Sequence, residues 1–109
     1  MIKEVTDATF ETEVLQTPGW VLVDFYRPNC SACPMLEQTL LELQPAYQEG
    51  LKMVKLNTDS GAESAQRAGV TAHPTTVLFK DGKVAGTFVG AGVMKYYKTF
   101  LDDCLRALS

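Results

Sequence analysis

The run WVLVDFY at residues 20–26 is the tightest constraint on what this chain can become. It is apolar or aromatic at every position but one, so neither face of a strand built from it can be left in water. Such a strand belongs in the middle of a sheet covered on both sides, and helices are the usual cover. The exception is Asp24. A carboxylate there costs on the order of several kcal/mol if it is ionised and unpaired, so it needs a function or a partner.

Three residues beyond this run the chain reads Cys30-Ser31-Ala32-Cys33. From Ser31 to about Leu43 the apolar positions Met35, Leu36, Leu40, Leu41 and Leu43 follow helical spacing, and Pro45 is expected to bend or end the helix. Two cysteines so placed can be a redox pair, half of a metal site or two buried sulfurs. At a strand-to-helix junction, Cys30 lies near unpaired backbone N–H groups and the positive end of the helix dipole, which favours its thiolate. The two-residue gap brings the sulfurs within disulfide reach.

The remaining elements surround that junction. Residues 6–15 (TDATFETEVL) offer Thr6 and Asp7 as N-caps, with Phe10, Val14 and Leu15 at helical spacing. Residues 51–57 (LKMVKLN) read as a strand, and residues 59–70 as a short helix begun by Asp59 or Ser60 and closed at Gly69. The dipeptide Asp81-Gly82 between TTVLFK and KVAGTFV predicts a hairpin of antiparallel neighbours. The last segment places Tyr97, Phe100, Leu101, Cys104, Leu105 and Leu108 along one helix face. The order is βαβαβαββα: an α/β chain with a central mixed sheet flanked by helices.

At 109 residues, without repeats, low-complexity tracts or long linkers, residues 1–109 are expected to form a single domain. A net charge of −3 argues against a nucleic-acid or anionic-membrane binder, both of which need a basic surface. The first 20 residues contain no apolar run long enough for a signal peptide or a membrane span, so a cytoplasmic setting is expected. Three cysteines, an odd count, do not suggest a structural disulfide framework, which narrows the reading of Cys30 and Cys33 to redox or metal.

Four segments together resemble the thioredoxin family. VLVDFYRPNCSACPMLEQTL is similar to its active-site segment and VKLNTD to its third strand. VTAHPTTVLFKDGK is similar to its cis-proline loop and hairpin, and FVGAG to the glycine turn before its last helix. The likeness runs in order over essentially the whole chain. It implies the thioredoxin fold and a thiol–disulfide oxidoreductase without a cofactor, acting on protein disulfides, recycled by a thioredoxin reductase and monomeric.

By the same resemblance Cys30 attacks a target disulfide and Cys33 resolves the mixed disulfide. Asp24 is then the buried carboxyl that accepts the Cys33 proton, with Lys55 as its charge partner. Pro74 is the cis-proline beside the sulfurs, and Gly90 and Ala91 form the other wall of the substrate groove.

The chain departs from the family pattern at Asn29, Ser31, Ala32 and Pro34, which stand where the family has Trp, Gly, Pro and Lys. These four are expected to tune substrate range and redox poise, with a potential above that of an ordinary thioredoxin. His73 replaces an aliphatic residue before Pro74. It is expected to face the sulfurs, either as an imidazolium that lowers the Cys30 pKa or as a residue affecting substrate fit alone.

Two rival readings remain. One is a binding module that grips a partner through Asn29, His73 and Pro74, with redox chemistry secondary. The other is a metal site made of Cys30, Cys33, His73 and Cys104, disfavoured because Cys104 falls on the apolar face of the last helix.

Overall fold

The computed structural model describes residues 2–47 and 49–107. Five strands form one sheet in the order β1-β3-β2-β4-β5. They are β1 (Lys3–Val5), β2 (Trp20–Tyr26), β3 (Leu51–Asn57), β4 (Thr75–Lys80) and β5 (Lys83–Val89). β1, β3 and β2 run parallel, whereas β4 is antiparallel to β2 and to β5. The WVLVDFY strand is indeed central, with β3 on one side and β4 on the other.

Side-chain alternation along β2 sorts the core into two layers. Val21, Val23 and Phe25 point to one face, where they pack with Phe10, Val14 and Ala65. These come from α1 (Asp7–Phe10), from the π-helical turn Glu11–Leu15 that continues it, and from α3 (Ala62–Arg67). Leu22 points to the other face, under Leu36, Leu40, Tyr97 and Leu101 from α2 (Cys33–Tyr47) and α4 (Met94–Ala107). Asp24 is two residues beyond Leu22, so it lies on that same α2/α4 face.

Three local expectations are corrected. Helix α2 begins at Cys33 rather than Ser31, because Cys30 first closes a turn by accepting the Cys33 N–H at 3.3 Å. It then runs through Pro45 to Tyr47. Proline is tolerated there because it falls in the last turn, where its fixed φ is helical and the lost N–H removes one bond. Helix α3 starts from Gly61 rather than Asp59 or Ser60. Its cap comes from a distance, as Asp7 Oδ1 accepts both the backbone N–H (2.9 Å) and the hydroxyl of Ser64. On α4, Tyr97 and Leu101 are buried while Phe100, Cys104 and Leu105 pack at the edge; Leu108 lies outside the described residues.

The hairpin forms at Asp81-Gly82, both with positive φ (51° and 81°). It is tied to the start of β2, with Asp81 Oδ1 accepting the Gly19 N–H at 2.7 Å. A β-carbon at Gly82 would run into the Leu15 carbonyl, whereas one at Gly69, also left-handed (φ +75°), would meet nothing. Gly82→Ala is therefore expected to destabilise the fold by about 3 kcal/mol and Gly69→Ala by only about 1 kcal/mol, as read by urea unfolding. Equal losses at the two positions would refute the steric part of this argument.

Candidate active site

The chain leaves β2 at Tyr26 and turns through Arg27, Pro28 and Asn29 to Cys30, which is disulfide-bonded to Cys33 with a Cα separation of 5.4 Å. The two sulfurs differ in access. Cys30 is half-buried at the edge of the turn, whereas Cys33, the first residue of α2, is buried. Asn29, Ser31 and Pro34 are exposed around them, and Ala32 is half-buried.

Pro74 is buried, its bond to His73 is cis, and its carbonyl accepts the Gly90 N–H at 2.8 Å. That hydrogen bond fastens the turn carrying Gly90 and Ala91 to the proline loop. Ala91 packs against the core, while Val89, Val93 and Met94 are exposed beside it, giving this wall an apolar rim.

Two clefts open on the disulfide. A polar one, of about 360 Å³, is lined by Arg27, Asn29, Cys30, Ser31, Ala32 and His73. The other, of about 260 Å³, lies on the α2 side and includes Tyr26, Cys30, Cys33, Pro34 and Glu37.

His73 thus shares a cleft with Cys30, in surroundings that disfavour the imidazolium. Its Nε2 is 2.7 Å from the Thr58 hydroxyl, and burial together with the nearby Arg27 guanidinium lowers its pKa. The neutral ring is favoured at neutral pH. Arg27 itself faces Asp59 at 3.6 Å, an exposed pair.

A row of residues in register crosses the sheet through Asp24. Glu4 on β1 opposes Lys55 on β3, Lys55 opposes Asp24 on β2, and Asp24 opposes Thr76 on β4. Asp24 is only 1% exposed, and neither of its carboxyl oxygens has a hydrogen-bond partner among the described residues. Burial foremost, then the charge of Glu37, pushes its pKa up from 3.8 to about 7; Lys55 pulls the other way and Glu4 adds to the rise.

The expected partnership of Asp24 with Lys55 is corrected in its form. The Lys55 ammonium donates to Glu37 Oε1 at 3.0 Å and lies 5.7 Å from the Tyr26 ring centre, so it acts on Asp24 through space rather than by contact. Sequence reasoning missed Glu37, Glu4 and Tyr26. Glu37 could have been found, since it is one helical turn past Cys33 and shares its face. Glu4 could not, because its place beside Lys55 depends on the β1 register.

Cys104 lies apart from this site. Its sulfur sits over Gly86 on β5 beside Phe100, and burial pushes its thiol pKa up. Among the described residues no group of three or more His, Cys, Asp or Glu side chains is placed to hold a metal ion. Nor is any described helix long and apolar enough to cross a membrane.

Comparison with known proteins points the same way as this geometry. The profile of the thioredoxin family matches residues 1–103. A thioredoxin of Pseudomonas aeruginosa is 44% identical over 101 residues, covering 93% of this chain and 94% of its own. Thioredoxin 1 of Synechococcus elongatus is 44% identical over 87 residues, covering 80% and 81%. A thioredoxin of Listeria monocytogenes is 42% identical over 90 residues, covering 83% and 85%.

Proposed function

Because the chain belongs to the thioredoxin family, with its fold and its protein thiol–disulfide oxidoreductase activity, we propose that it serves as a reductant of protein disulfides. The observation that carries this reading is the asymmetry of the pair, with Cys30 half-buried and Cys33 buried behind it.

The more accessible Cys30 thiolate attacks one sulfur of a target disulfide. The target S–S bond breaks, one target sulfur leaves as thiolate, and the other is held in a mixed disulfide. Cys33 loses its proton to Asp24 and attacks the Cys30 sulfur. The second target thiolate leaves, and the Cys30–Cys33 disulfide remains. Two electrons have passed to the target. A carboxyl whose pKa is about 7 suits both halves of the cycle, since it can take the proton and give it back near neutral pH.

A target strand lies along Pro74, with Gly90 and Ala91 as the facing wall and Asn29 and His73 at its polar end. The apolar rim of Val89, Val93 and Met94 supports protein substrates over small hydrophilic disulfides. The protein works as a single-domain cytoplasmic monomer that a thioredoxin reductase returns to the dithiol.

Around Cys30, Ser31 supplies a hydroxyl, Ala32 removes the ring found at that position in the family, and Pro34 supplies no N–H. An added donor near the thiolate stabilises the reduced form, so the midpoint is expected above the value of about −270 mV typical of thioredoxin. Titration against a thiol buffer, read by the mass shift on alkylation, measures it. A reversible two-electron transition is expected; the absence of any transition would overturn the reading.

A further inference from the structure

Glu37 takes no part in the steps just described, yet its position bears on them. It lies four residues after Cys33 on α2, and both line the cleft on the α2 side with Tyr26 and Cys30. Lys55 has two carboxylates beside it in the sheet, Glu4 and Asp24, and a third above it, Glu37. The Tyr26 hydroxyl bonds both oxygens of Glu4, at 2.8 and 2.7 Å. Glu37 takes the ammonium at 3.0 Å. Asp24, the most deeply buried of the three, is left with no hydrogen bond among the described residues.

The geometry points to Glu37 as a positioning residue of the redox centre: by holding Lys55 at the cleft it withholds the cation from Asp24, and so decides when that carboxyl can exchange a proton with Cys33. Its consequence for the reaction rests on the reading of Asp24 as the Cys33 proton acceptor.

Each element packed around Asp24 contributes to its surroundings. Glu4 comes from β1, Tyr26 from its own strand, Lys55 from β3, the Thr76 hydroxyl from β4, Glu37 from α2, and the Tyr97 hydroxyl from α4. Helices α1 and α3 lie on the opposite face of the sheet. Lys55 is the only cation in this set, so its orientation governs the field at the carboxyl. The charge of Glu37 acts in the same direction as its hold on Lys55, keeping Asp24 protonated toward neutrality.

The test follows the Asp24 carboxyl directly by carbon NMR titration of the oxidised protein, the resonance being assigned by its loss in Asp24→Asn. In Glu37→Gln the ammonium is released toward Asp24 and the titration midpoint is expected to fall by about one pH unit. In Lys55→Met an uncompensated Glu37 remains and the midpoint is expected to rise. In the double variant it is expected to return near the starting value.

A hold on Lys55 also requires the fall caused by Glu37→Gln to be smaller in the Lys55→Met background than in the unsubstituted protein; equal falls in the two backgrounds would mean that Glu37 acts by its own charge alone and would overturn the proposal. An unchanged midpoint in Glu37→Gln, or shifts of the same sign in both single variants, would overturn the proposal. The pH profile of dithiothreitol-driven insulin reduction provides the second readout, and its inflection is expected to move to lower pH in Glu37→Gln. A moved carboxyl titration with an unmoved rate profile would refute the part of Asp24 in the reaction while supporting the hold of Glu37 on Lys55.

Discussion

Cys33→Ser is expected to lower turnover by roughly a thousandfold or more and to leave the protein joined to its targets through Cys30. The two halves of that outcome have one cause. Cys30 is the accessible sulfur and can still attack, while the buried Cys33 position no longer carries a thiolate that can resolve the mixed disulfide. Cys30→Ser is expected to lose turnover to the same extent but to trap nothing, because the remaining thiol is shielded. Non-reducing electrophoresis of a mixture with a disulfide-bonded target, followed by reduction, distinguishes them: a band that collapses on reduction should appear with Cys33→Ser alone. A complex that persists when both cysteines are serine would overturn the catalytic reading in favour of a binding module.

The parts of this site that could be read from the sequence are those fixed by neighbours along the chain. Asp24 stood out because every other residue of its strand is apolar, and Cys30 and Cys33 because of their spacing at a strand-to-helix junction. The hairpin was legible because Asp81-Gly82 supplies two left-handed residues in succession. What escaped depends on contacts between distant segments. The cap of α3 is Asp7, 57 positions before Ser64, so Asp59 and Ser60 were plausible local caps displaced by a remote one. Whether Lys55 turns to Asp24 or Glu37 depends on how α2 sits over β3, which no periodicity encodes. His73 lines the cleft that reaches Cys30, and its charge state rests on Thr58 and Arg27, which its place in the sequence does not reveal.

Asp24→Asn is expected to stabilise the oxidised protein at alkaline pH, by an amount that vanishes in acid. In the unfolded chain the carboxyl titrates near 3.8 and in the folded one near 7, so between those values the folded state binds the extra proton. Stability contributed by such a group is full below about pH 4, falls as the pH rises toward 7, and stays low above it. The difference between the two values corresponds to about 4 kcal/mol, an upper figure for a group that also feels Glu37 and Lys55. An asparagine keeps the size of the protonated carboxyl and has no proton to lose, so it removes the pH dependence but not the cost of burying an unpartnered polar group.

Urea unfolding of both proteins at pH 4 and pH 8.5 measures this. Similar stabilities are expected at pH 4, and an advantage of a few kcal/mol for the variant at pH 8.5. An advantage of the same size at both values would mean that the carboxyl is not held protonated by its surroundings. The same substitution is expected to slow disulfide reduction near neutral pH, because the carboxyl that is costly to bury is also the one proposed to take the Cys33 proton. On that proposal destabilisation and catalysis share a single cause, the buried and unpartnered state of Asp24.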